Sequence, residues 1–273
     1  MTDVHGYYDL YKAAIDYCSK QDPEYSLIFL GDACDRGPDG YKIMKELLSN
    51  PQIIYLKGNH EDMFVHAALE IKSKFKFDDL TIENVRLALR RTILFDEKYY
   101  DIRLAIHNGA LNTLTDWIMD GMPIDFVEKI DHLPYTFTYE QYDFCHAGGI
   151  YQVFKRVNEC EYKGESIDKH DAESLIWNRS AFNYGWAPER IVIHGHTPTP
   201  HLLINYFEKP CLAIAPYKYK GNFDPRYTGE KIDMDTGVAI THTIFVLNIL
   251  TGKAQGFILE KNNQVKQNEI IKV

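Results

Sequence analysis

Residues 26–37 read SLIFLGDACDRG, and this stretch decides the fold. Its first half is a short, mostly apolar run with the length and composition of a buried strand. Gly31 then allows a sharp exit, and the carboxylates of Asp32 and Asp35 follow at once. In open α/β sheets, ligands bind beyond the carboxyl ends of the strands. The stretch therefore predicts a strand that delivers two carboxylates to a site at the edge of a sheet.

The same arrangement recurs along the chain. Short runs rich in β-branched and aromatic residues are each followed, within three residues, by a side chain that can bind a metal ion: 53–56 precedes Asn59, 142–145 precedes His146 and 191–193 precedes His196. Helical patterns separate these runs, which gives a βαβ rhythm. We therefore expect all these strands, with the one at 26–30, to belong to one sheet.

The rest of the chain has a different texture. The stretch from 60 to 141 is mainly helical, with Thr81 as the predicted N-cap of one helix. After Thr197, strand-like runs at 231–234, 243–249 and 254–259 predict a second sheet packed on the first.

Composition excludes several classes of protein. The 273 residues are 45% apolar and carry a formal net charge of -9, which would repel a nucleic acid backbone. No apolar run approaches the ~18 residues that a membrane span requires. The five cysteines, at 18, 34, 145, 160 and 211, show no paired spacing, so they are interpreted as reduced thiols. We expect a cytoplasmic protein with no nucleic acid or membrane partner.

The polar residues at the predicted strand ends have the chemistry of metal ligands. They offer carboxylate, amide and imidazole groups but no thiolate, a mixture that suits Mn, Fe, Zn or Co. The candidates are Asp3, His5, Asp32, Asn59, His146 and His196.

The order of these motifs resembles that of a known family. The chain contains D-x-H-G at 3–6, G-D-x-x-D-R-G at 31–37, G-N-H-E at 58–61, a strand-end His146 and G-H-T-P at 195–198. This order resembles the PPP-type metallophosphoesterases of the calcineurin-like superfamily, which include Ser/Thr protein phosphatases and diadenosine tetraphosphatases. L-P at 133–134, H-A-G at 146–148, W-N-R at 177–179 and M-D-T-G at 234–237 resemble segments of the bacterial members.

The resemblance implies both a fold and a metal centre. The fold is a four-layer α/β/β/α metallophosphoesterase sandwich, a single domain over residues 1–273 with a mainly helical insertion at about 64–133. The cofactors are two divalent metal ions, Mn foremost, with Fe or Zn as alternatives. By resemblance, Asp3 and His5 bind one ion, Asn59, His146 and His196 bind the other, and Asp32 bridges them.

The resemblance also implies catalytic roles. A hydroxide shared by the two ions attacks phosphorus directly, and His60 protonates the departing alkoxide. Asp35 orients His60, while Arg36 and Arg179 clamp the phosphate together with Asn59 and His60. His194 is interpreted as a hydrogen-bonded strand histidine, and contact with the metal site is the alternative.

Three functions remain open. The first is hydrolysis of phosphate monoesters, with phosphoserine and phosphothreonine proteins as substrates. The second is hydrolysis of a dinucleoside tetraphosphate or another small phosphate ester. By resemblance, Asp35 and the glutamate of G-N-H-E favour the first, because symmetrical tetraphosphatases typically have alanine and aspartate there. The third, a non-catalytic metal-binding scaffold, is disfavoured because Asp35, His60, Arg36 and Arg179 are not needed to hold metal.

The start of the chain departs from the family pattern. In relatives the Asp of D-x-H-G closes a buried apolar strand, whereas only Met1 and Thr2 precede Asp3 here. This departure leads to the expectation that the native protein carries about five further strand residues, the usual strand length.

Overall fold

A computed structural model describes residues 1–77, 80–95, 98–179, 183–199, 216–220, 226–268 and 270–273. Cys211, predicted as a reduced thiol, lies outside the described residues. The helices are α1 (Tyr8–Gln21), α2 (Gly40–Ser49), α3 (Asn59–Lys74), α4 (Ile82–Phe95), α5 (Tyr100–His107), α6 (Leu111–Met119), α7 (Ile124–Asp131), α8 (Tyr151–Lys163), α9 (Lys169–Trp177) and α10 (Val238–Thr241).

The strands of the described residues form three hydrogen-bonded sheets. Their bounds are β1 (Leu27–Phe29), β2 (Ile53–Tyr55), β3 (Thr136–Tyr139), β4 (Tyr142–Cys145), β5 (Ile191–His194), β6 (Tyr217–Lys220), β7 (Glu230–Asp233), β8 (Thr243–Asn248), β9 (Lys253–Leu259), β10 (Val265–Gln267) and β11 (Ile271–Lys272). Among the strands that the structure describes, β1 and β2 form a parallel two-stranded sheet, and five others follow the order β3-β4-β5-β7-β6. In the third sheet, β9 pairs with β8 on one edge and with β10 and β11 on the other.

The prediction that one sheet holds all the site-bearing strands is wrong. β1 and β2 pair with each other, whereas β4 and β5 belong to the five-stranded sheet. The run at 231–234 was expected in the second sheet, but β7 pairs with β5 in parallel, with Ile193 opposite Ile232. The physical reason is that apolar runs of this kind fit any buried strand, and their partners are set by contacts distant in sequence.

Helices and sheets form the layers of the predicted α/β/β/α sandwich, and the fold class is confirmed. Between the sheets lies an apolar core that contains Leu30, Phe144, Ile193 and Phe245. On the outer face of the five-stranded sheet, α8 and α9 contribute to another core. On the opposite side, α1 buries Leu10, Tyr11 and Ala14 in the largest core. The apolar stripe of α1 therefore faces the largest core.

Helices α4 to α7 lie within the stretch that was predicted to be a helical insertion. Thr81 accepts a hydrogen bond from the backbone N–H of Asn84, at 3.3 Å, as an N-cap does. Trp117 of α6 and Ile130 of α7 are fully buried beside Phe64 of α3, so these helices share the core of the α3 layer. Within the described part of the chain, no helix is both long and apolar enough to cross a membrane.

Candidate metal centre

The loops that follow the strands carry the candidate ligands to one place. Asp32 follows β1, Asn59 begins α3 after β2, and His146 and His196 follow β4 and β5. Asp32 and His196 both have left-handed backbones, with φ of 59° and 68°. This region is unfavourable for residues other than glycine, and such strain concentrates at functional sites.

Asp32 lies between two groups of possible ligands. Its Oδ2 is 3.6 Å from Nε2 of His5, and its Oδ1 is 3.3 Å from Nε2 of His146. The ligand atoms of Asp32, His5 and His60 all lie within 4.8 Å of one another, as do those of Asp32, His146 and His196. One carboxylate therefore serves both groups, which is the geometry that a bridging ligand requires.

Asn59 and Asp3 complete the two groups. Oδ1 of Asn59 is 3.0 Å from Nε2 of His146 and 2.9 Å from Nδ1 of His196. Oδ1 of Asp3 is 3.8 Å from Nε2 of His5 and is buried without a hydrogen-bond partner. A buried carboxylate oxygen left unpaired is costly, whereas a cation beside it would satisfy it. The residues present therefore fit a pair of divalent ions.

Backbone carbonyls fix the orientation of the histidine rings. Nδ1 of His5 lies 3.0 Å from the carbonyl oxygen of Cys34, and Nδ1 of His146 lies 2.7 Å from that of Leu30. Nε2 of His196 lies 3.2 Å from the carbonyl of Trp177. Because a carbonyl oxygen only accepts, these nitrogens carry the hydrogen, and the other ring nitrogen is free to bind metal.

Burial and neighbouring charges set the protonation of the groups. Burial lowers the pKa of both His5 and His196 well below the ordinary value, so both rings are neutral, as ligands must be. Burial alone would raise the pKa of Asp32, but the nearby His146 and His60 outweigh it and hold that pKa well below the ordinary range. Burial opposes charge on His146, yet Asp32 raises its pKa to about 10. Metal binding must therefore displace a proton from His146.

A second arrangement adjoins the ligands. Nδ1 of His60 is 2.7 Å from Oδ2 of Asp35, and Nε2 of His60 is 3.2 Å from Nη2 of Arg36. Burial lowers the pKa of His60, but Asp32 and then Asp35 outweigh it, so the net shift is upward. Nη1 of Arg179 donates to the carbonyl oxygen of His196 at 2.9 Å. An oriented imidazole and two arginines thus border the two ligand groups.

Comparison with protein families identifies the chain. The family model described as calcineurin-like phosphoesterase matches residues 1–228. The chain belongs to the calcineurin-like phosphoesterases. The resemblance found in the sequence is thereby confirmed at the level of this superfamily, and the protein is a hydrolase of phosphate esters.

Two solved structures are similar to this phosphoesterase along nearly its whole length. One, described as a candidate diadenosine tetraphosphatase, is 12% identical with a TM-score of 0.48, and the match covers 98% of this chain and 90% of that one. The other, a metallophosphoesterase from Sphaerobacter thermophilus, is 13% identical with a TM-score of 0.44, and the match covers 100% and 86%. Likeness at this level carries no argument about substrate. Among curated proteins, none matches the chain.

Sequence reasoning missed the role of Glu61 in this phosphoesterase. The fully buried carboxylate accepts hydrogen bonds from the backbone N–H groups of Asp32 (2.8 Å), Ala33 (2.8 Å) and Gly58 (2.9 Å), and from the hydroxyl of Tyr55 (2.8 Å). It therefore ties the loop after β1 to the loop after β2. The available signal was an acidic residue directly after G-N-H, which was interpreted only as part of a family motif.

Sequence reasoning also missed the contacts that the loop before α6 makes with Asp35 and Arg36. The carbonyl oxygen of Gly109 accepts the N–H of Arg36 at 3.0 Å, and the hydroxyl of Thr113 accepts the N–H of Asp35 at 3.1 Å. Gly109 has a φ of 100°, and a Cβ there would meet the backbone of Arg36 at 2.8 Å. The turn at Asn108-Gly109 therefore supports the loop that carries Arg36.

His194 lies outside both ligand groups. Its Nε2 is 2.8 Å from the hydroxyl of Tyr219, and its Nδ1 is 3.1 Å from the carbonyl oxygen of Gly195. Both ring nitrogens thus have partners on or beside the five-stranded sheet, in agreement with the interpretation of a hydrogen-bonded strand histidine.

Proposed function

We propose that this phosphoesterase hydrolyses phosphate monoesters, with phosphoserine and phosphothreonine side chains of proteins as substrates. The proposal assigns it to the PPP-type branch of the superfamily. Two divalent ions, with Mn as the native pair, are held by Asp3, His5, Asp32, Asn59, His146 and His196. When bound, such ions neutralise phosphate charge and activate water.

The observation that carries the proposal is the pair formed by Asp35 and His60. A serine or threonine alkoxide is a poor leaving group and needs a proton as it departs. His60 has a raised pKa and is fixed by Asp35 at 2.7 Å, with Nε2 turned toward Arg36 and Asp32. A dinucleoside polyphosphate releases a phosphate anion, which needs little protonation. The pair therefore supports esters of alcohols over polyphosphates.

The two arginines provide phosphate binding in this proposal. Arg36 lies beside His60, and Arg179 is anchored through the carbonyl of His196, so the two guanidinium groups approach from different loops. Planar guanidinium groups bind phosphate oxygens in a bidentate manner, which fixes the orientation of the ester. Neither arginine is needed to hold metal, so their presence supports catalysis over a scaffold role.

The geometry also allows His60 to be a ligand, since it groups with His5 and Asp32. We assign it to proton donation because Nδ1 is paired with the carboxylate of Asp35 and Nε2 lies beside the guanidinium of Arg36, a group proposed to bind phosphate. The two roles differ in an observable way. Loss of a ligand reduces the number of bound ions, whereas loss of the acid leaves that number unchanged.

The test compares His60→Asn with the parent enzyme on two phosphate esters in the presence of Mn. A phosphoserine peptide should lose ~10² to 10⁴-fold in kcat, the usual contribution of general acid catalysis, and p-nitrophenyl phosphate should lose much less, because its phenolate departs unaided. Asp35→Asn should also lower kcat for both substrates, but by smaller factors than His60→Asn does. His66→Asn is the control, since this histidine is half-exposed on the same helix.

Three outcomes would contradict the proposal. Equal losses on both esters would remove His60 from proton donation, and loss of one equivalent of metal from His60→Asn would make it a ligand. Faster hydrolysis of diadenosine tetraphosphate than of the phosphopeptide by the parent enzyme would favour the dinucleotide function instead.

We also propose a cytoplasmic location. The cysteines that the structure describes, Cys18, Cys34, Cys145 and Cys160, are all free thiols. Free thiols are typical of reducing compartments.

A further inference from the structure

The turn that carries Asp35 and Arg36 has an unusual backbone. Both residues lie in the left-handed region, with φ of 70° and 62°, although neither is glycine. This region is unfavourable for residues with a Cβ, and a residue stays in it only where the surrounding structure imposes it. The turn carries two groups of the proposed mechanism, so the contacts that impose its conformation also determine where those groups lie.

One short segment of the helical insertion, residues 109–113, holds this turn. The hydroxyl of Thr113 accepts the N–H of Asp35 at 3.1 Å, and the carbonyl oxygen of Gly109 accepts the N–H of Arg36 at 3.0 Å. Both backbone donors of the left-handed pair are therefore satisfied by the insertion, which is distant from them in the sequence.

The supporting segment is itself fixed in place. Asn112 donates from Nδ2 to the carbonyl oxygen of Gly37 at 3.5 Å, and its Oδ1 accepts Nη2 of Arg86 in α4 at 2.9 Å. Leu114 and Trp117, which follow in α6, are fully buried in the largest core. Close packing of this kind leaves little room for movement, so the segment is a rigid support for the turn.

Thr113 is connected to His60 through Asp35. Oδ2 of Asp35 lies 2.7 Å from Nδ1 of His60, and all three residues are buried. A buried N–H without an acceptor is costly, so loss of the Thr113 hydroxyl would favour another conformation of the turn. Displacement of Asp35 would then remove the partner that fixes the imidazole ring.

We propose that Thr113 is a positioning residue for proton donation, because its hydroxyl holds Asp35 in the conformation from which the carboxylate orients His60. The helical insertion thereby takes part in catalysis, although the candidate metal ligands all lie outside it. The inference rests on the proposed function, since it acts through the proton that His60 donates to the leaving group.

The experiment uses the Mn-loaded enzyme and compares Thr113→Val with Thr113→Ser. The valine variant keeps the shape of the side chain but removes the hydroxyl. Its kcat for a phosphoserine peptide should fall by ~10 to 100-fold, since misplacement by about 1 Å can cost ~100-fold. Its kcat for p-nitrophenyl phosphate should fall much less, because the phenolate departs unaided. The serine variant keeps the hydroxyl and should retain the parental ratio of the two kcat values.

Thr115→Val is the matched control on the same helix. The hydroxyl of Thr115 is equally buried, but it donates within α6 to the carbonyl oxygen of Leu111 at 2.6 Å. This variant should keep the parental ratio of the two kcat values even if its Tm falls. Neither valine variant should bind Mn more weakly than the parent, because no metal ligand is changed.

Gly40→Ala tests the same hydrogen bond from α2 and remains informative if Thr113→Val does not fold. A Cβ at this position would lie 2.8 Å from Oγ1 of Thr113 and 2.9 Å from the backbone nitrogen of Asp35. The variant should therefore lower kcat for the phosphoserine peptide more than kcat for p-nitrophenyl phosphate.

The outcomes separate this inference from the proposed function. If His60→Asn loses phosphoserine hydrolysis selectively but Thr113→Val and Gly40→Ala keep the parental ratio, the inference is overturned and the proposed function stands. A serine variant as selective as the valine variant, or a Thr115→Val control as selective as Thr113→Val, would also overturn it. Equal losses on both esters in His60→Asn would contradict the proposed function, and the inference with it.

Discussion

Replacement of Glu61 by Gln tests whether one buried carboxylate positions both metal-binding loops. In the structure, Oε2 accepts the N–H groups of Asp32 and Gly58, while Oε1 accepts the N–H of Ala33 and the hydroxyl of Tyr55. A glutamine has one oxygen and one NH₂ group. In either orientation of the side-chain amide, its NH₂ group faces at least one backbone N–H that donates to Glu61 in the parent protein.

The contacts set the size of the effect. The less costly orientation places NH₂ toward Ala33, because the hydroxyl of Tyr55 can rotate and accept. One buried N–H is then left unsatisfied, at a cost of ~1–3 kcal/mol, and the remaining bonds change from charge-assisted to neutral, at ~1 kcal/mol each. Burial raises the pKa of Glu61, which shows that the buried charge is itself unfavourable. Removal of that charge in Glu61→Gln therefore offsets part of the destabilisation. We expect a net destabilisation of about 2–3 kcal/mol, which lowers the Tm by roughly 5–10 °C.

The assay separates stability from positioning. Glu61→Gln should weaken Mn binding by ~10–100-fold, the usual cost of a lost supporting partner, as measured by isothermal titration calorimetry. The matched control is Glu70→Gln on the same helix, whose carboxylate accepts from Ile102 N and Lys74 Nζ. The control should lose stability but retain metal affinity. If both variants weakened metal binding equally, or if Glu61→Gln retained parental affinity, Glu61 would have no positioning role.

Three further predictions concern the metal centre and the core. Asp32→Asn should lose more metal affinity than the ~10–100-fold that a supporting partner contributes. After treatment with a chelator, the parent enzyme should regain turnover when Mn is added, whereas this variant should not. Gly195→Ala places a Cβ against Oδ2 of Asp3 and the side chain of Thr2. Isothermal titration calorimetry should therefore show weaker binding of one of two Mn equivalents. Two affinities equal to those of the parent would refute this. Burial lowers the pKa of Lys231 from 10.5 to about 7. Between these values the unfolded chain binds more protons, so Lys231 makes stability rise with pH. Lys231→Met should therefore be more stable than the parent at pH 7, by a few kcal/mol. Urea denaturation should show a smaller rise in its free energy of unfolding between pH 7 and 9. A free energy of unfolding that rose with pH as steeply as in the parent would contradict this.

Much of the candidate site could be predicted because its signals are local. A strand that ends in glycine and then a polar side chain can be recognised within a few residues, as at Gly31 and Asp32. The bounds of β1, β2, β4 and β5 lie within one or two residues of the predicted runs for the same reason. The order of these motifs then pointed to the calcineurin-like superfamily, and the match over residues 1–228 confirms that superfamily.

The sequence by itself determined which residues stand at strand ends and what chemistry they offer, since alternation, glycine exits and residue type are properties of short segments. Only the tertiary structure decided which strands pair and that Glu61 joins the loops after β1 and β2. Strand pairing and buried hydrogen bonds depend on residues far apart in the chain, such as Asp32 and Glu61 or Ile193 and Ile232. Local periodicity is the same for every possible partner, so it carries no information about that choice.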